Sequence, residues 1–271
     1  MGTPGAPTVI DVCIDNDFNE DPRGISTAMC HSFIDIEAPV EQLDIKQVVV
    51  VCQKGLKLSQ GAAALLRLRG MRSESLEGES FAWRDAGQSL IPVAKTPELN
   101  NLSQNILSNR ASSLWVTRQR PKIDRIACPW LMRRFVDPNA RFLFVGPSEV
   151  KSVAEKFNAI PFDVDGVFWR HREDQCTFDT MIEELALDTD DLKKLAVIIR
   201  GADTNNLESS PQASGLLAMS LGLSRMYSDD LEQLEAGMIF YDALFRWVRD
   251  ASREQHIHEV NMGNKLCLKN I

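Results

Sequence analysis

Residues 48 to 59 read VVVVCQKGLKLS, a β-branched run that ends on Cys52 and opens into a stretch holding Gly55, Lys54 and Lys57. A strand that delivers a cysteine to a loop ahead of a helix puts the thiol where parallel α/β sheets bind ligands, beyond the carboxyl ends of the strands. The backbone of Gln53, Lys54, Gly55, Leu56, Lys57 and Leu58 can then converge on one anion, with Gly55 allowing close approach and the two lysines adding positive potential. Such surroundings lower a thiol pKa, and the thiolate is a nucleophile toward sulfur or phosphorus. The opposing reading is a small buried residue that merely closes a strand. Cysteine-dependent phosphatases clamp phosphate with an arginine six positions after the cysteine. Leu58 stands there, which disfavours that chemistry and leaves arsenate reduction, with similar anion binding, as a lesser alternative.

A second constellation lies in WVTRQRPKIDRIACPWLMRRF, residues 115 to 135. Arg118, Lys122, Arg125, Arg133 and Arg134 crowd a short segment of an acidic chain and can form an oxyanion pocket. Arg125 and Arg133 are eight residues apart, about two helical turns, and so are expected on one side. The alternatives are a solvated basic face or arginines paired with acids elsewhere. A third constellation follows in FWRHREDQCTFDTMIEE, where His171, Cys176, Asp179 and Glu183 offer imidazole, thiolate and carboxylate to a transition metal. Asp163 and Asp203 are spare carboxylates for the same purpose. The spacing matches no zinc signature, and a polar loop with a buried thiol is the competing reading.

The elements that must position these groups change character along the chain. PTVIDVCI and KQVVVVC read as buried strands, SQGAAALLRLRG as a helix capped by Ser59 and stopped by Gly70, RSESLEG as a short strand and SFAWRDAG as a helical turn. Strands separated by helices imply a parallel α/β sheet for residues 1–92. Residues 93–114 are polar, rich in Asn and Ser, and read as a linker.

From 115 to 255 the pattern is mainly helical, with RFLFVG and IPFDVDGVFWRH as short strands of a small sheet. In DDLEQLEAGMIFYDALFRWVRD, Leu231, Leu234, Met238, Tyr241, Phe245 and Val248 step by three and four, which predicts a core-facing helix. Residues 256–271 read as a loosely held tail.

A formal charge of −8 over 271 residues argues against nucleic acid or anionic membrane as the main partner. No run approaches the roughly 20 apolar residues of a membrane span and the N-terminus lacks a signal core, so a cytoplasmic location is expected. The six scattered cysteines form no CxxC pair, hence no disulfide framework or zinc ribbon.

IDVC (10–13), VVVVCQKGLKLS (48–59) and SLEGESFAW (75–83), ending in DAGQSLIP, resemble a rhodanese domain over residues 7 to 92. That likeness implies transfer of sulfane sulfur as a persulfide on Cys52, from a small donor to a thiol or cyanide acceptor, with no cofactor. Lys57 stands where the family usually carries arginine. RPKIDRIACPWLMRRF, PFDVDGVFWRHREDQCTFD, IIRGADT and GLSRMYSDDLEQLEAGMIFYDALFRW resemble the chromate-resistance (ChrB-type) domain over residues 115 to about 250. Together they are similar to sulfurtransferase/chromate-resistance proteins, which implies a role in tolerating or sensing chromate. Three functions are therefore expected to compete: a single-cysteine sulfurtransferase, a non-catalytic oxyanion- or metal-binding sensor, and a combination in which Cys52 reduces or traps an oxidant held by the second domain.

Overall fold

A computed structural model describes residues 6–36, 47–54, 56–88, 90–92, 112–187 and 189–252. Its first part runs β1 (Thr8–Asp11), α1 (Asp15–Glu20), β2 (Arg23–Ile25), β3 (Met29–Cys30), β4 (Gln47–Val51), α2 (Leu56–Leu68), β5 (Arg72–Ser75), α3 (Glu79–Asp85) and β6 (Leu90–Pro92). Strands in the order β3-β1-β4-β5 form one parallel sheet, as expected, and β2 pairs antiparallel with β6. A central parallel strand is covered on both faces and needs a continuous apolar run. The valines of β4 supply it: Val48 and Val50 pack with Ile10, Ala62 and Leu66 on one side, and Val51 with Val9, Ile25 and Leu90 on the other.

The second part runs β7 (Leu114–Arg118), α4 (Asp124–Leu131), β8 (Arg141–Val145), α5 (Val150–Phe157), β9 (Ile160–Pro161), α6 (Thr177–Glu184), α7 (Asp190–Asp203), α8 (Pro211–Met226) and α9 (Asp230–Arg246). Strands β8-β7-β9 form a second parallel sheet that shares its core with the helices. Trp115, Trp130, Trp169, Phe162 and Phe178 fill the core between them. The two parts touch where Ser26 donates its hydroxyl to the Phe135 carbonyl and where Ile91 packs against the second core. Among the described residues no helix is long and apolar enough to cross a membrane.

Several expectations need correction. Helix α2 starts at Leu56, so Ser59 lies inside it, buried, and does not cap it. The reason is the stripe Leu58, Ala62, Leu66, at i, i+4 and i+8, which draws Leu58 onto the core. The loop after Cys52 is correspondingly shorter than QKGLKL; Gly55 and the side chain of Leu56 lie outside the description.

Residues 93–111 of the expected linker and the tail 256–271 also lie outside it, while Ser113 already belongs to the second domain through its amide and hydroxyl, both donated to Asp137 Oδ2 at 2.7 and 2.5 Å. LWVTR is the central strand β7, hidden in the sequence by its place in the basic segment. IPFDVDGVFWRH contributes only the two-residue β9 and a bridge from Phe162 to Trp169. In α9, Leu231 is exposed and the buried stripe begins at Leu234.

Candidate functional site

The second domain gathers its charged groups beyond the carboxyl ends of β7 and β9, the edge at which parallel sheets bind ligands. Arg118 ends β7, Asp163 follows β9, Asp124 opens α4 and Asp203 closes α7. His171 comes from the loop before α6.

The β7–α4 connection takes left-handed backbone at Arg120 (φ 56°) and Ile123 (φ 40°), a strained conformation for a β-branched residue. Hydrogen bonds from α8 and α9 hold it there. Arg120 donates to the Tyr227 carbonyl at 2.8 Å, Gln233 Nε2 to the Pro121 carbonyl at 2.6 Å, Tyr241 to the Ile123 carbonyl at 3.0 Å, and Ile123 N to Ser220 Oγ at 3.0 Å. Strain fixed in this way at a ligand edge is typical of functional loops.

At the centre is His171 Nε2, 3.3 Å from Asp124 Oδ2, 3.3 Å from Asp163 Oδ1 and 3.2 Å from Asp203 Oδ2. Asp163 turns its other oxygen to two guanidiniums, Arg118 Nη2 at 2.9 Å and Arg125 Nε at 3.3 Å. Thr177 steadies both buried acids, donating its amide to Asp124 Oδ2 at 2.6 Å and its hydroxyl to Asp163 Oδ1 at 3.1 Å. Asp124 is 1% exposed and its Oδ1 has no hydrogen-bond partner among the described residues.

Burial, reinforced by Asp203 and Asp163 against the pull of His171, pushes the Asp124 carboxyl up to about 7. Hydrogen bonds to Asp124, Asp163 and Asp203 push the imidazole up to about 12. A cleft of about 510 Å³ reaches the cluster from solvent, lined by Arg118, Lys151, Asp163, Asp165, Arg170 and His171 among others.

Of the basic residues picked from sequence, Arg118 and Arg125 meet at Asp163. Arg133 and Arg134 do not join them: Arg133 bonds the Ala140 carbonyl and Glu235, and Arg134 makes a two-pronged pair with Asp242 at 2.7 and 2.8 Å. The eight-residue argument fails because the helix, with Pro129 inside it, widens into a π-type turn over Met132–Val136, where a turn takes more residues. Lys122 lies among Arg125, Arg120 and Arg225; partial burial and their repulsion lower its pKa.

Of the metal-ligand candidates, His171 lies in the cluster, but its partners are Asp124, Asp163 and Asp203. Cys176 donates its thiol to Asp179 Oδ2 at 3.1 Å, Asp179 pairs with Arg200 at 2.9 Å, and Glu183 is exposed on α6. Burial raises the Cys176 and Cys128 thiols well above their ordinary value, so both are neutral.

Cys52 stands at the carboxyl end of β4, as its sequence context suggested, with 1% exposure. Its amide donates to Glu79 Oε2 at 2.7 Å, and its Sγ lies 3.9 Å from Ser59 Oγ, whose hydroxyl bonds the same buried carboxylate. The anion held by the Cys52 amide is therefore the protein's own Glu79. Lys54 pairs with Glu20, Gln53 is buried with Nε2 on the Asp21 carbonyl at 3.2 Å, Lys57 is exposed, and Leu58 packs on the core. Cys13 and Cys30 occupy the same edge of the sheet, and burial raises both thiols.

Sequence reasoning missed Asp124 and Glu79. Each is an acid in the first turn of a short helix, where the dipole favours it, and that was the available signal.

Residues 115–248 match the family model described as ChrB, C-terminal domain, the stretch that carries the ChrB-type motifs. Protein ChrB of Cupriavidus metallidurans is 29% identical over 192 residues, which are 69% of this chain and 57% of that protein. The chain thus spans little more than half the length of that curated relative. A crystal structure of a full-length protein from Lactobacillus plantarum is 23% identical over 32% of this chain and 72% of that one; its TM-score of 0.29 carries no argument.

Proposed function

We propose that the protein acts in the response to chromate, with the 112–252 domain as its recognising part and a small oxyanion as the ligand of the cleft. The lining of that cleft carries this reading: Arg118, Lys151, Arg170 and His171 face one cavity of about 510 Å³ in a chain of formal charge −8. Asp163 and Asp165 line it too; Arg118 and Arg125 take up the outer oxygen of Asp163, and the Arg118 Nε hydrogen remains without a partner among the described residues. A tetrahedral dianion accepts charge-assisted hydrogen bonds from such donors.

Equilibrium dialysis of the full chain against chromate and sulfate tests it. Saturable binding should weaken about tenfold or more in Lys151→Ala/Arg170→Ala, since each charge-assisted bond contributes about 1.5–3 kcal/mol. Both side chains are exposed, so the fold should be unaffected. Absence of saturable binding, or binding indifferent to this double change, would overturn the reading.

A second reading, sulfur transfer of the rhodanese kind, rests on the position of Cys52 between β4 and α2. The thiol proton would pass through Ser59 to Glu79. The thiolate would then attack the outer sulfur of thiosulfate, whose S–S bond breaks with the electron pair leaving on sulfite. The resulting persulfide gives its sulfur to a thiol or cyanide. Intact-protein mass spectrometry after thiosulfate should show a reducible gain of one sulfur atom in the parent and none in Cys52→Ser; no gain in the parent removes this reading.

A further inference from the structure

We infer that Asp124, Asp163 and His171, with Asp203 beside them, form a binding site for a divalent first-row cation of the manganese or iron class. The first observation is geometric. A histidine nitrogen carries at most one hydrogen and can direct it to one acceptor. His171 Nε2 instead faces three carboxylate oxygens at nearly equal distances of 3.3, 3.3 and 3.2 Å. Donor atoms each about 2.0–2.2 Å from one cation lie about 2.8–3.6 Å from their neighbours in octahedral or tetrahedral arrangements, and about 4.0–4.4 Å from a ligand opposite them in an octahedron. The separations from the imidazole nitrogen fall in the neighbour range, and ligand atoms of Asp124, Asp163 and His171 all lie within 4.8 Å of one another; Asp203 meets this set through His171 and supports it from outside.

The second observation is independent of the first. Asp124 is 1% exposed, directs Oδ2 into the cluster, and has an Oδ1 with no hydrogen-bond partner among the described residues. Burying a carboxylate oxygen unpaired is costly. A cation taken up by both oxygens removes that cost.

The surroundings fit such a site. Arg118 and Arg125 hold Asp163 Oδ2 outward and leave Oδ1 facing the centre, while Thr177 fixes Asp163 and Asp124. Supports of this kind orient metal ligands. Half-exposed His171 lines the cleft, which gives an ion its way in. The donor set is oxygen-rich with one imidazole. Among the described residues no cysteine sulfur belongs to that set, so no thiolate selects a soft ion. Carboxylates suit manganese, and imidazole suits zinc, copper, iron and nickel; a set richer in oxygen than in nitrogen favours manganese or iron among these.

This inference extends the chromate-response reading without requiring that an anion bind. The test is titration of the EDTA-treated full chain with Mn(II) alone, the free ion being followed by electron paramagnetic resonance. One ion per chain should bind, with affinity reduced roughly tenfold or more in both His171→Ala and Asp203→Asn. Thermal unfolding of the two metal-free variants, set beside the parent, shows that they fold, and Mn(II) should raise the parent's midpoint more than theirs. Lys151→Ala/Arg170→Ala should keep the metal even if it loses chromate, so failure of the anion reading and failure of this one are separable. No saturable uptake of Mn(II) by the parent, or uptake unchanged in both folded variants, overturns the inference.

Discussion

Replacing Gly237 by alanine tests how the helices hold the site. Gly237 lies in α9 opposite Ile126 of α4, the helix whose first residue is Asp124. A Cβ added at Gly237 would lie 2.5 Å from Ile126 Cγ2 and 3.4 Å from its Cδ1. Two carbons attract only beyond about 3.5 Å, so one partner must move by about 1 Å. Ile126 is β-branched and stiff at χ1, and it is fully buried, so the helices must part.

Overpacking of this kind costs about 1–3 kcal/mol, and the helix-propensity gain of alanine over glycine returns about 1 kcal/mol. The net loss is therefore about 0–2 kcal/mol, and a contact as close as 2.5 Å places it toward the upper end. Urea unfolding followed by tryptophan fluorescence reads it well, because Trp115, Trp130, Trp169 and Trp247 all lie in the second domain and only Trp83 lies in the first. Mn(II) affinity should fall in parallel as Asp124 moves. An unchanged or higher urea midpoint would mean that helix propensity decides at this position, and would refute the tight α4–α9 contact.

Acid should find Asp242. Burial pushes its carboxyl up, but hydrogen bonds from Arg134 and Trp130 outweigh that and leave its pKa below the ordinary value. A depressed folded pKa gives stability that is present above about pH 4 and lost as pH falls through the folded value. Asp242→Asn should therefore lower the thermal midpoint at pH 7, with the difference shrinking below about pH 4; a difference independent of pH would contradict the ion pair. Trp130, packed against Phe135, Phe178, Tyr241 and Phe245, should cost about 3–5 kcal/mol when replaced by alanine, and a urea-derived loss under about 1 kcal/mol would deny its central place in the core.

Local signals carried much of the fold. The three-and-four spacing of Leu234, Met238 and Tyr241 gave the buried face of α9. The valine run gave β4, and its separation from RSES by a helix gave the parallel pairing. What failed were judgements by residue type alone. Ser59 looked like a cap, but the Leu58, Ala62 and Leu66 stripe places it inside the helix. Trp115, Val116 and Thr117 are fully buried in the middle of a sheet, yet Arg118 and Arg120 made the segment read as a charged surface.

The site was legible in pieces. His171 could be picked out as a ligand type, Asp163 and Asp203 as spare acids, and Arg118 and Arg125 as part of a basic group. Their meeting point depends on β7 and β9 lying side by side and on α7 ending against α4, which no local pattern encodes. Sequence proximity misled with Cys176, Asp179 and Glu183, whose side chains serve the start and surface of α6.

The most direct measurement is diffraction from crystals of the full chain soaked in Mn(II), with data collected on both sides of the manganese absorption edge. The expected result is one anomalous peak about 2.0–2.2 Å from His171 Nε2 and from oxygens of Asp124 and Asp163. A well-ordered cluster without a peak, or a peak only at surface carboxylates, would contradict a cation site at the heart of the domain.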